Sequence, residues 1–150
     1  MNLSHQISPA GIAFIKSFEN CSLTAYQDSA GIWTIGWGHI LGVRQGDTCT
    51  QEQADQWFLQ DIAAKAKQVD LESFDVPTTQ NQFDAMCSLA FNIGSAAFCA
   101  SGVVAWHRLN RPAKAADAFL LWDKAHVKGQ LVEVPGLLKR REAEREFYLA

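Results

Sequence analysis

Residues 23–41 read LTAYQDSAGIWTIGWGHIL, a glycine-punctuated run of β-branched and aromatic residues. Asp28-Ser29-Ala30-Gly31 has the chemistry of a turn and Ile32 to Ile35 that of a strand, which predicts a small antiparallel sheet. Gly36, Gly38 and Gly42 mark bends or close approaches to the backbone. On either side the pattern is helical. Ser8 suits an N-cap, Pro9 a first helical position, and Ile7 can staple onto Ile12, so a helix is predicted over about 9–20, ended by Asn20. Thr50 with Gln53 and Thr79 with Gln82 are capping-box signatures. Gly94 closes the second run, whose Phe83, Met86, Leu89, Ala90 and Ile93 form an apolar stripe. Further helices are predicted over about 103–109, 112–124 and 135–148, with 129–134 as a loop or short hairpin. Strands confined to one early segment, with helices elsewhere, define an α+β class. The expected architecture is one domain over 1–150, with a small antiparallel sheet lobe at about 22–48, a larger helical lobe from the remainder, and a ligand cleft between them.

The chain has 150 residues, 48% apolar and 19% charged, enough for a core and too apolar for disorder. Its formal net charge of −3 lacks the basic surplus of a nucleic-acid binder, so no nucleic-acid partner is expected. Residues 1–100 carry 4 basic and 10 acidic groups, whereas 101–150 carry 9 and 6. The longest early apolar run, residues 9–15, is far below the roughly 18 needed to span a bilayer, so no membrane insertion is expected. Residues 1–8 lack the basic start of a secretory signal, which points to folding in the cytoplasm. Cys21, Cys49, Cys87 and Cys99 match no short-loop zinc spacing and are expected to be buried free thiols.

Glu19 is expected in the last turn of the first helix, after apolar Phe18. The negative end of the helix dipole and burial both favour the neutral acid, the form that donates a proton. Asp28 follows in a polar turn that keeps a carboxylate ionised, and Thr34 on the next strand can orient a water beside it. Two carboxyls in contrasting environments are the acid/base arrangement that cleaves glycosidic bonds. Taken singly, each residue has an ordinary reading: a solvated Glu, an Asp supporting its own turn, a strand Thr.

Glu19, Asp28 and Thr34 at this spacing, followed by Ile35-Gly36-x-Gly38-His39, resemble the active-site signature of the bacteriophage-type lysozymes (glycoside hydrolase family 24). TQEQADQWFLQDI, QFDAMCSLAFNIG and PGLLKRREAEREF resemble later helices of that family, so the similarity covers most of the chain. The resemblance implies a phage-encoded endolysin that hydrolyses the β-1,4 bond between N-acetylmuramic acid and N-acetylglucosamine in peptidoglycan. Glu19 would be the general acid, Asp28 the partner carboxylate and Thr34 the water-positioning residue. Inversion of the anomeric centre would place the carboxyls about 6.5 to 9.5 Å apart. Ile40, Phe91, Asn92 and Ser101 match positions lining the saccharide groove, while their ordinary roles are core packing and helix caps. Either Arg140 or Arg141 is a candidate charge partner of Glu19, and His39 is expected to be structural.

The same resemblance implies a monomer needing no metal and no organic cofactor, held in the host cytoplasm until a holin gives access to the periplasm. Some exported members use a disulfide to control the acid; with no anchor segment in this chain, Cys21 is expected to be free. Of the five tryptophans, only Trp37 is a candidate for carbohydrate contact. The rival readings are a lytic transglycosylase on the same substrate and a catalytically silent peptidoglycan-binding module. The presence of both Asp28 and Thr34 argues for water as nucleophile and against the first, and retention of the complete triad with Glu19 argues against the second.

Overall fold

The computed structural model describes residues 4–150, so the first three residues of the domain expected over 1–150 lie outside the described residues. The chain divides into two compact units, Ala13–Ala64 and a second made of the segment up to Ile12 with Lys65–Ala150. The division falls within helix α1 (Pro9–Lys16) and within helix α2 (Gln51–Ser73).

In the Ala13–Ala64 unit, strands β1 (Ser22–Gln27) and β2 (Trp33–Gly36) pair antiparallel, with Tyr26 opposite Thr34 and Gln27 opposite Trp33. A lone two-stranded hairpin is marginal in water. Here the chain after His39 returns along β1: Ala25 N donates to Asp47 O at 2.8 Å, Cys49 N to Leu23 O at 2.9 Å, and Thr24 bridges to Thr48. Ile15, Ile35, Ala54, Phe58 and Ile62 are the fully buried apolar residues of this unit. Gly36 has φ 64°, and a Cβ there would lie 3.1 Å from Ala54 Cβ, so the end of β2 rests directly on α2.

Helix α1 stops at Lys16, short of the predicted end near Asn20. The amides of Ser17, Phe18 and Glu19 bond the carbonyls of Phe14, Ile15 and Lys16, and these tighter i→i−3 turns carry the chain to Glu19. Glu19 therefore lies past the helix rather than in its last turn.

The other unit contains α3 (Gln80–Ile93), α4 (Ser95–Cys99), α5 (Gly102–Arg108), α6 (Pro112–Phe119) and α7 (Pro135–Leu149), plus a hairpin of β3 (Lys124–Val127) and β4 (Gln130–Glu133). Helix α3 is its axis. Every residue from Phe83 to Ala90 is buried, so the predicted stripe widens to the whole circumference. It packs on α7, which packs on α6, which packs on α5. Both expected capping boxes form: Thr79 and Gln82 cap each other's amides, and so do Thr50 and Gln53.

Strands are not confined to the early segment. Helix α6 ends at Phe119 rather than near 124, and the following residues form the β3–β4 hairpin, with Val127 opposite Gln130. Lys128 (φ 50°) and Gly129 (φ 78°) occupy its two-residue turn, the pair of positive angles that matches the twist of a tight hairpin. Among the described residues no helix is long and apolar enough to cross a membrane. The four cysteines are free thiols, but only Cys87 is buried, which corrects the expectation for Cys21, Cys49 and Cys99; these three are half-buried.

Candidate active site

The Asp28 turn is built by its own side chain. Asp28 Oδ1 accepts the amides of Ala30 at 2.8 Å and Ile32 at 2.9 Å, while the Asp28 amide donates to Ile32 O at 2.9 Å. The structural role of such an Asp is thus realised, but through one oxygen; Oδ2 takes no part in these bonds. Held by two N–H donors, the carboxylate has a fixed plane, with its second oxygen available for chemistry.

Tyr26 and Thr34 face each other across the strands, and Asp28 follows two residues after Tyr26, just past the end of β1. Thr34 is 4% exposed and its hydroxyl donates to Ile32 O at 2.9 Å, which leaves the oxygen lone pairs as acceptors. Glu19 and Asp28 are both half-buried. Both bear on Tyr26 electrostatically: burial raises the pKa of its hydroxyl, and the negative charges of Glu19 and then Asp28 raise it further. Tyr26 was not singled out by sequence; its position two residues before Asp28 on a strand was the available signal.

Two other candidates in this unit have structural partners. His39 is 8% exposed, its Nδ1 lies 2.9 Å from Asp61 Oδ2, and its ring stacks on Trp57 at 4.8 Å. Trp37 is half-buried, and its Nε1 donates to Asp55 Oδ1 at 2.8 Å, with Lys16 Nζ 5.1 Å from its ring centroid. That indole bond, then one from Gln51, holds the Asp55 carboxyl below its usual range. Trp37 is thereby built into a polar cluster at the start of α2. Ile40, in contrast, is 54% exposed, an apolar side chain available for contact.

The remaining groove candidates lie in the helical unit. Phe91 is half-buried at the end of α3 and Asn92 beside it is exposed. Ser101 is 2% exposed, and its hydroxyl accepts the Val104 amide at 3.3 Å as the N-cap of α5. Arg140 and Arg141 are both buried on α7 against Glu144, a further feature that sequence reading did not reach.

A chain of this α+β build, with Glu19, Asp28 and Thr34 in its hairpin unit, is of the lysozyme-type glycosidase class, as its relatives show. The phage lysozyme family model matches residues 16–144, and the chain belongs to that family. It is 42% identical over 142 residues to the endolysin of Acyrthosiphon pisum secondary endosymbiont phage 1, spanning 95% of this chain and 97% of that one. The muramidase domain of SpmX from Asticaccaulis excentricus superposes with a TM-score of 0.90 at 38% identity, covering 97% of this chain and 99% of that chain. The endolysin from Escherichia coli O157:H7 phage FAHEc1 gives 0.89 at 40% identity, covering 99% and 96%.

Proposed function

We propose that this enzyme is an endolysin that hydrolyses the β-1,4 bond between N-acetylmuramic acid and N-acetylglucosamine of bacterial peptidoglycan, and so brings about lysis of the host cell. The observation that carries the reading is the Asp28 carboxylate held in a fixed plane by the amides of Ala30 and Ile32, with the charges of both Glu19 and Asp28 felt at the neighbouring Tyr26 hydroxyl. In this reading Glu19 protonates the leaving glycosidic oxygen, Asp28 draws a proton from the attacking water, and Thr34 orients that water through its lone pairs. Ile40 in one unit, and Phe91, Asn92 and Ser101 in the other, are read as the saccharide-binding residues.

The protein would accumulate in the host cytoplasm as a monomer and act in the periplasm once a holin opens the inner membrane. The basic surplus of residues 101–150 favours approach to an anionic wall polymer.

Purified peptidoglycan digested with the protein and analysed by mass spectrometry tests the proposal. The expected products are muropeptides with reducing N-acetylmuramic acid ends. Products lighter by one water would mean a transglycosylase, and no solubilisation would refute the enzymatic reading. Asp28→Asn should leave the turn intact, because its side-chain oxygen still accepts both amides, yet lower the rate by about 10²–10⁴-fold.

A further inference from the structure

Arg141 is 0% exposed. A buried guanidinium needs good partners, and it carries five donors and no acceptor. Two of its partners lie in the helical unit: Nη1 is 3.0 Å from Glu144 Oε1, and Nη2 donates to Asn92 Oδ1. Glu144, also 0% exposed, accepts the Ser88 hydroxyl on Oε2 at 2.5 Å and lies 3.4 Å from Arg140 Nε. Arg140 Nη2 closes the cluster by donating to Ser88 O and Oγ, each at 3.3 Å. This network of α3 and α7 side chains is buried at every member except Asn92, which is exposed.

That last contact dictates which way the Asn92 amide faces. Because a guanidinium only donates, the atom turned toward Arg141 has to be the carbonyl oxygen, and the NH2 group is directed away from it. Among the described residues, Nδ2 donates to no protein acceptor. An exposed NH2 with a fixed plane is the complement of an oxygen with lone pairs and no proton of its own, which describes an amide carbonyl better than a hydroxyl.

We propose that Arg141, locked by Glu144, which Ser88 and Arg140 hold in turn, is a positioning residue that keeps the Asn92 NH2 group outward to receive an amide carbonyl of the substrate. The carbonyl belongs to an N-acetyl group of the glycan or to the peptide stem. The inference rests on the peptidoglycan reading above and adds to it the residue that fixes the donor: Arg141 sets which face of the Asn92 amide meets the ligand.

Calorimetric titration of the parent protein, Asn92→Asp and Arg141→Lys with three probes tests it: tri-N-acetylchitotriose, cellotriose, and the free stem tetrapeptide. Asn92→Asp keeps an oxygen facing Arg141, so folding is retained, and replaces the outward donors with an acceptor. It should bind one of the two amide-bearing probes about five- to tenfold more weakly, the worth of one neutral hydrogen bond. Cellotriose binding and the melting temperature should not fall, and on peptidoglycan the loss should appear in KM rather than kcat. Weakening for the trisaccharide assigns the N-acetyl carbonyl, and weakening for the tetrapeptide assigns the stem. Arg141→Lys should lose part of the same affinity; if it does not fold, Asn92→Asp decides alone. Unchanged affinity of Asn92→Asp for both amide probes overturns the inference. Failure of the parent protein to solubilise peptidoglycan would instead overturn the reading on which it rests.

Discussion

Gly11 has no room for a side chain: a Cβ there would sit 2.6 Å from Asp84 Cγ. Asp84 is 1% exposed and cannot retreat, since its carboxylate accepts the Ser8 amide at 3.1 Å, the Ser8 hydroxyl and the Gln80 amide at 2.8 Å. Gly11→Ala is therefore expected to cost about 1–3 kcal/mol through overpacking. A lower urea midpoint at unchanged slope would register it. Sequence exposes Gly11 only as a residue near a helix start, because the obstacle comes from position 84. The turn at Asp28 and the strand at Thr34 were legible for the opposite reason: their bonds reach only two to four residues away. The burial of Arg141 and its pairing with Glu144 were illegible because charged residues on a terminal helix resemble a solvated face, and only the packing of α7 on α3 buries them.

The helices depend on their ends as much as on their faces. In the box before α3, the Thr79 hydroxyl accepts the Gln82 amide at 3.0 Å, and Gln82 Oε1 accepts the Thr79 amide at 2.9 Å. Thr79→Ala should lower stability by about 1 kcal/mol, seen as a drop of several degrees in melting temperature. Capping residues act within one turn, which is why the starts of α1, α2 and α3 could be read directly from the sequence, and Pro135 at the first helical position marked α7 in the same local way. Ends were harder. Nothing in the order of residues stops α1 at Lys16, and the run after Phe119 is apolar enough to continue a helix. The β3–β4 turn was obscured because Lys128 takes a left-handed angle that side chains other than Asn or Gly seldom adopt.

Across the whole chain, stability should respond to mild acid through a buried histidine. His107 is 3% exposed, its Nδ1 lies 2.6 Å from the Tyr148 hydroxyl, and its Nε2 lies 2.8 Å from Thr78 Oγ1. The Thr78 hydroxyl donates to Val76 O at 2.9 Å, so the neutral ring completes the set by donating from Nε2 and accepting at Nδ1. Burial, then the charge of His5, lowers the His107 pKa from its ordinary 6.5. The unfolded chain then binds the proton more readily than the folded one. Stability is accordingly whole above 6.5 and declines as the pH falls below it. Melting temperatures measured from about pH 7.5 down to about pH 5 should fall for the parent chain and fall less for His107→Gln. A parent curve no steeper than that of the variant would remove His107 as the cause.

The catalytic account stands on a proton supplied from position 19. Its most direct test is the rate at which Glu19→Gln solubilises peptidoglycan, measured on protein whose circular dichroism and melting temperature match those of the parent. The variant keeps the size and polarity of the side chain but has no acid proton to give, so the rate should drop by about 10²–10⁴-fold. A folded Glu19→Gln protein that digests the wall at the parental rate would contradict the account.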